Sequence, residues 1–421
     1  MGDPDAAMTR PLVACQDCGL LYTAPRPGGR GRVRCRRCGA ELYRLGHDGI
    51  DRALGLTVAA LILLVVANVF PLMTFRYEGR EQGNVLISGV FELAEQGLWP
   101  LGALVFLVAI AIPATKLLGS LWVLLPLHRG RVPVDGARVF RLVETLHPWA
   151  MTEVYLLGLL VAYVKLADIA DVDLGPALFA FIALIVVMIA AEMTLEPRAV
   201  WERLQPSPAV APPREEASSG LGHCQRCGLL SRLVSNHRPQ RCPRCHGALH
   251  RRKPASISRT WALVLTGIVL YVPANLYPIM TVISFGRGEP DTILSGVVRL
   301  FEAGMWPLAL LVFFASITVP VLKLAGLSFL LLSVQRRWRW RPRHRTLLYR
   351  VIDAVGRWSM IDIFMISILV ALVKLGSIAT VEPGVGATAF AAVVVVTMFA
   401  ATAFDPRLIW DAMEAPRERS R

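Results

Sequence analysis

The sequence predicts a mainly α, polytopic membrane protein with two tandem four-helix transmembrane units, each preceded by a small zinc ribbon. Three observations predict it. The apolar residues are clustered in eight stretches, each long enough as a helix rising 1.5 Å per residue to cross roughly 30 Å of hydrocarbon. All eight cysteines fall in CxxC pairs within two polar segments. The whole arrangement occurs twice. Composition agrees: 54% of residues are hydrophobic and 18% charged, where soluble chains run nearer about a quarter charged.

The duplication is read from matches at an offset of 207 to 209 positions. Cys15-x-x-Cys18 recurs as Cys224-x-x-Cys227, and Asn68-Val69-Phe70-Pro71 as Asn275-Leu276-Tyr277-Pro278. Ser88-Gly89 and Trp99-Pro100 recur as Ser295-Gly296 and Trp306-Pro307. Trp149-Ala150-Met151 recurs as Trp358-Ser359-Met360, and Glu196-Pro197-Arg198 as Asp405-Pro406-Arg407. Self-similarity at a fixed period is the mark of a repeated structural unit. The implied organisation is a first ribbon (1–50), a first transmembrane unit (51–202), a Pro/Ser/Glu-rich linker (203–220), a second ribbon (221–256), a second transmembrane unit (257–410) and a tail (411–421). Spans are expected near 52–72, 98–126, 149–167 and 176–195, then 259–280, 304–334, 358–378 and 386–404. The first fifty residues hold no apolar core of signal-peptide length, so no cleaved signal is expected.

Basic residues set the orientation. The formal net charge is +14, from 45 Lys and Arg against 31 Asp and Glu, and the arginines gather beside alternate ends of the apolar stretches. Arg44 and Arg52 precede the first span, Arg129, Arg131, Arg138 and Arg141 follow the second, and a dense arginine run occupies 336–350 after the sixth. The positive-inside rule then places both termini and both ribbons in the cytoplasm. An even number of spans per unit makes the halves parallel repeats.

The first cysteine set is Cys15, Cys18, Cys35 and Cys38, and the second Cys224, Cys227, Cys242 and Cys245. Two tight knuckles present four sulfurs as a tetrahedron, with a short hairpin expected between them. The expected cofactor is Zn²⁺, two per chain, with iron in a rubredoxin-like site the competing assignment. With four ligand positions filled and none open, the metal's expected role is to fold a mini-domain too small for its own core. Zinc ribbons also bind nucleic acid, but anchoring beside eight spans argues against that partner.

Within the spans the telling residue is lysine, since the chain has five lysines against forty arginines. Lys116 and Lys323 form one repeat-related pair, Lys165 and Lys374 another. Lys116 and Lys323 each follow a proline, Pro113 and Pro320, which removes a helix hydrogen bond and suits a kink beside a polar cavity. Lysine, unlike arginine, can also sit neutral when buried. Lys165 and Lys374, late in their spans, can instead snorkel to the far interface. Glu153 and Asp362 share a repeat position near the starts of the third and seventh spans. Glu192 has Ala401 as its counterpart, so the halves are not expected to do identical work, and Lys323, less neutralised than its repeat mate Lys116, is the lysine expected to line a polar cavity. Asn68 and Asn275 are read as satisfying backbone freed by Pro71 and Pro278. A short amphipathic helix anchored by Trp is expected at the far interface in 81–100 and 288–307.

The two CxxC…CxxC ribbons, Asn68-Val69-Phe70-Pro71, Gly97-Leu98-Trp99-Pro100, Pro113-x-x-Lys116 and their second-half counterparts resemble the paraquat-inducible protein A family of bacterial inner-membrane proteins. The resemblance covers nearly the whole chain. It implies work beside MCE-domain proteins, which form periplasmic tunnels, and a role in moving phospholipid between inner and outer membranes. Three functions stay open at this level: a lipid-transport subunit, a small-solute or ion transporter using the buried lysines, or a membrane redox or stress sensor using the cysteines. The sequence shows no GxxxxGK[ST], HExxH or GxSxG motif, so no enzyme activity is expected.

Overall fold

The structure is a computed structural model describing residues 12–23, 31–45, 49–77, 80–167, 171–205, 221–233, 240–284, 287–372 and 379–414. The first ribbon is two hairpins, β1 (Leu12–Ala14) with β2 (Leu21–Thr23) and β3 (Gly31–Arg34) with β4 (Glu41–Leu45). Each hairpin turns at its own CxxC. The sequence places a hairpin between the pairs instead, but the knuckle closes itself: Gly19 N–H donates to Cys15 O and Cys15 N–H to Leu20 O, each at 2.9 Å. Gly19 and Gly39 take φ of 75°, the left-handed region open to glycine.

The first transmembrane unit follows. Helix α1 (Ile50–Val69) leads to strands β5 (Met73–Tyr77) and β6 (Arg80–Asn84) and the short helix α2 (Ser88–Glu95). Next, α3 (Trp99–Phe106) and α4 (Ile112–His128) run as one 30-residue rod. The amphipathic α5 (Gly136–Leu146), α6 (Thr152–Ala167), β7 (Asp171–Leu174), α7 (Pro176–Thr194) and α8 (Pro197–Leu204) complete the unit.

The second copy repeats this order. Its ribbon has β8 (Leu221–His223), β9 (Leu230–Arg232), β10 (Gln240–Arg241) and β11 (Ala248–Leu249). Then come α9 (Ser256–Leu276), β12 (Met280–Ser284), β13 (Arg287–Asp291), α10 (Ile293–Glu302), α11 (Trp306–Phe313) and α12 (Val319–Gln335). The unit ends with α13 (Pro342–Val355), α14 (Ile361–Leu372), β14 (Ala379–Pro383), α15 (Val385–Ala403) and α16 (Leu408–Glu414). Helices α8 and α16 each run across a boundary expected from sequence, at 202 and 410, because Trp201 and Trp410 bury their indoles at those points.

Among the described residues, six helices are long and apolar enough to cross a membrane: α1, α3–α4, α7, α9, α11–α12 and α15. The other two expected spans coincide with α6, 16 residues, and α14, 12 residues among those described. These two pack on each other at the centre of the molecule. The side chains of Ile361 and of Ile363 through Val370 on α14 are all buried, and a helix apolar all round is one enclosed by protein or lipid. Close approach there requires glycine: a Cβ on Gly158 of α6 would lie 2.8 Å from the Phe364 Cβ. Around this centre α1 packs on α7, and α9 on α15.

The prolines do not break the rods. A single π turn, Leu107–Ala111 before Pro113 and Phe314–Thr318 before Pro320, absorbs the missing hydrogen bond in each copy. Asn68 Nδ2 donates to Leu64 O at 2.7 Å and Asn275 Nδ2 to Tyr271 O at 2.8 Å, so each serves its own preceding turn and not backbone freed by the following proline. At the end opposite the ribbons, the loops pair into two antiparallel sheets, ordered β6-β5-β7 and β13-β12-β14. Helices α2 and α10 follow these strands, with Trp99 and Trp306 exposed just beyond.

Candidate metal centres and a polar cavity at the helix ends

Each cysteine set folds into one cluster. In both, the four Sγ atoms lie within 4.8 Å of one another and are buried. Cys15–Cys38 and Cys18–Cys35 approach to 3.5 Å, as do Cys224–Cys245 and Cys227–Cys242. Four sulfurs at about 2.3 Å from a shared ion would sit roughly 3.8 Å apart, so both clusters fit a tetrahedral metal. The second set departs at one knuckle, where His246 takes the positive φ (55°) that glycine takes elsewhere. Sulfurs this close cannot all ionise without a cation. Hydrogen bonding to Cys224 pushes the Cys227 thiol up, while hydrogen bonding from Cys224 holds Cys242 down.

The ribbons dock crosswise. Ribbon 1 precedes the first unit yet packs on the second: its cysteines share a core with Leu324, Ile352, Phe404 and Trp410. Ribbon 2 shares a core with Ile50, Ala53, Phe140 and Trp201 of the first unit. The polar contacts repeat this exchange. Arg350 of α13 donates to Cys38 O at 3.2 Å, to the Cys38 Sγ at 3.3 Å and to Asp17 Oδ2 at 2.7 Å. Its repeat mate Arg141 of α5 donates to Cys245 O at 3.0 Å. Arg343 adds bonds to the carbonyls of Arg36 and Arg37, and the Arg37 guanidinium lies 4.6 Å over the Trp410 ring.

The lysines expected inside the spans part company. Lys116 is 8% exposed; its Nζ donates to Glu192 Oε1 and approaches His147 Nδ1 at 3.1 Å. All three line a cavity of about 520 Å³ with Ala53, Thr57, Glu144 and Arg226. Glu192 lies two residues before α7 ends and Ala53 and Thr57 lie early in α1. The cluster therefore sits at the ribbon-side ends of those helices, while α4 runs on for about three turns past Lys116. Lys323 is 2% exposed and donates to Thr397 Oγ1 at 2.9 Å and Gly356 O at 3.4 Å. Glu153 lines a second cavity, about 500 Å³ and almost wholly apolar, between α6 and α7. Lys165 and Asp362 fall within α6 and α14, but their side chains lie outside what the structure describes, and Lys374 lies outside the described residues.

His147 is the member sequence reasoning missed. Comparing the repeats could have found it, since Gly356 occupies its position in the second half, just as Ala401 faces Glu192. In the cavity lining, burial raises the Glu144 carboxyl to about 7, and the Trp201 Nε1–H, donating to it at 3.3 Å, opposes that rise.

A family profile described as paraquat-inducible protein A matches residues 50–205 and 257–414, one match per transmembrane unit. The chain is 33% identical to the intermembrane transport protein PqiA of Escherichia coli (strain K12) over 411 residues, 97% of this chain and 98% of that protein. It is also 33% identical to the lipophilic envelope-spanning tunnel protein A of Escherichia coli (strain K12), over 96% of this chain and 92% of that protein. A probable intermembrane transport protein of Haemophilus influenzae is 27% identical over 97% of this chain and 98% of its own length. No solved structure matches. With both units matched and relatives aligned from end to end, this multi-pass membrane chain belongs to the paraquat-inducible protein A family.

Proposed function

We propose that the chain is the inner-membrane subunit of an envelope phospholipid-transport system, exchanging lipid with a periplasmic MCE-domain tunnel protein. The observation that carries this reading is the cavity at Lys116. A buried ammonium, an imidazole and a carboxylate converge between membrane-spanning helices at the depth where those helices end. That is where a lipid headgroup lies. The relatives' names, with their references to intermembrane transport and an envelope-spanning lipophilic tunnel, support the same reading and a transporter in place of an enzyme. In it, Zn²⁺ fills both ribbons as a structural ion, and the ribbons and both termini are cytoplasmic.

Phospholipid and an MCE-domain protein should co-purify with the chain after gentle detergent extraction, as read by mass spectrometry. A bound polar solute in place of lipid, with uptake that follows membrane potential, would favour an ion or solute transporter. Topology is checked separately. Reporters fused after Arg131 and Arg341 are expected to read cytoplasmic, and those near Arg80 and Arg287 periplasmic. A cytoplasmic reading at Arg80 would overturn the eight-span orientation.

A further inference from the structure

We propose that the Lys116 cavity selects a phosphate–ammonium zwitterion, the headgroup chemistry of an aminophospholipid such as phosphatidylethanolamine, over an anionic headgroup. This rests on the lipid-transport reading and adds the ligand class.

The argument starts from donors and acceptors. An ammonium has three donors and no acceptor. His147 Nδ1 lies 3.1 Å from Lys116 Nζ and 3.5 Å from Glu192 Oε1, so the imidazole sits between the two charges. Lys116 and Glu192 supply one charge of each sign, so the pair is neutral. A zwitterion can insert into such a pair without changing the count. Its phosphate takes donors from Lys116 and the imidazole, and its ammonium donates to the Glu192 carboxylate. Charge-assisted bonds of this kind are the strong ones.

An anionic headgroup meets a different balance. It would take Lys116 and leave Glu192 uncompensated in a partly buried site, which is costly. The wider lining deepens the bias. Glu41 and Glu196 join Glu192 there, against Lys116 and Arg226. A trimethylated amine would lack the N–H donors that Glu192 accepts.

The second unit is the internal control. Lys323 donates to Thr397 Oγ1 at 2.9 Å and Gly356 O at 3.4 Å, and Ala401 stands where the first copy has Glu192. A Cβ on Gly356 would lie 3.0 Å from Lys323 Nζ, so that side is closed where the first is open. The duplication has produced one zwitterion site and one hydrogen-bonded lysine.

The test uses the full chain in nanodiscs of equal parts phosphatidylethanolamine and phosphatidylglycerol, with retained lipid measured by native mass spectrometry. Wild type is expected to retain phosphatidylethanolamine preferentially. Glu192→Gln should lower that preference about tenfold, the scale of one lost charge-assisted contact. Lys116→Ala should lose both lipids, and Lys323→Ala should leave the ratio unchanged. An unchanged ratio in Glu192→Gln protein overturns the headgroup proposal while leaving lipid transport standing; no retained lipid in wild type overturns both. Soluble glycerophosphoethanolamine separates the sources. Far weaker binding than the lipid's is expected, whereas equal affinity would assign the site to the free headgroup and overturn the lipid.

Discussion

Replacing Cys35 with serine is expected to cut bound metal from two ions per chain to one and to unfold ribbon 1, while ribbon 2 keeps its ion. The reason is local energetics. The described ribbon is four short strands whose buried side chains are chiefly its cysteines. Structural zinc supplies on the order of 10 kcal/mol to folds of this kind, and three ligands in place of four forfeit much of it. Elemental analysis of the purified variant reads the stoichiometry; two ions remaining, or iron in place of zinc, would refute the assignment. The crossed docking makes a sharper forecast. Ribbon 1 is held by Arg350, Arg343 and Trp410, all in the second unit. Limited proteolysis of the Cys35→Ser protein should therefore expose α13 and α16, more than two hundred residues away in sequence, and spare α5 and α8 nearby. Cys242→Ser should do the reverse, through Arg141 and Trp201.

That crossing shows where the sequence stops informing. The ribbons themselves are legible because a CxxC followed by glycine encodes its own knuckle, closed by bonds within six residues. The duplication is legible because it needs only comparison of the chain with itself. Which ribbon docks on which unit is not, since Arg141 and Arg350 occupy the same repeat position and offer the same donor to either ribbon. Hydropathy found α6 and α14, but it could not tell that they form the centre, because lipid and protein interior demand the same side chains. The proline signal was sound at Pro113 and Pro320, yet a π turn keeps the rod continuous, and that choice depends on packing around the turn. Lys116 and Glu192 were found singly as charges out of place. Their pairing joins α4 to α7 across 76 positions, and no periodicity reports such a contact. His147 went unseen because a histidine beside a span is unremarkable until its glycine counterpart is noticed.

Replacing Asp405 with alanine is expected to destabilise the chain by about 3–5 kcal/mol, the usual cost of stripping one partner from a buried ion pair. Asp405 is 0% exposed and Arg407 1%. Asp405 Oδ1 accepts from Arg407 N and Nε at 3.1 and 2.9 Å, and Oδ2 accepts from Arg407 Nη2 at 2.7 Å and Lys253 N at 3.0 Å. The carboxylate thus ties the end of α15 to the segment leading from ribbon 2 into α9. Its loss leaves a guanidinium without its carboxylate and two backbone N–H groups without an acceptor. Arg198 of the repeat-related Glu-Pro-Arg pairs with Glu202 at 3.1 Å in a partly exposed contact, a kind of pair worth about 0.3–0.5 kcal/mol. The pH response has a definite sign. Burial alone would raise the Asp405 pKa, but the bonds and charge from Arg407 hold it below its ordinary value. A lowered folded pKa contributes stability in full above the unfolded value of about 3.9, and that contribution is lost as pH falls through the folded pKa. Asp405→Asn should flatten this acid limb. The double variant Asp405→Ala with Arg407→Leu removes the stranded charge and should recover much of the loss, because a buried pair replaced whole by apolar groups is often nearly neutral. Thermal unfolding of the four proteins in one detergent decides it: a double variant no more stable than Asp405→Ala alone would mean that the backbone bonds, and not the guanidinium, carry the cost.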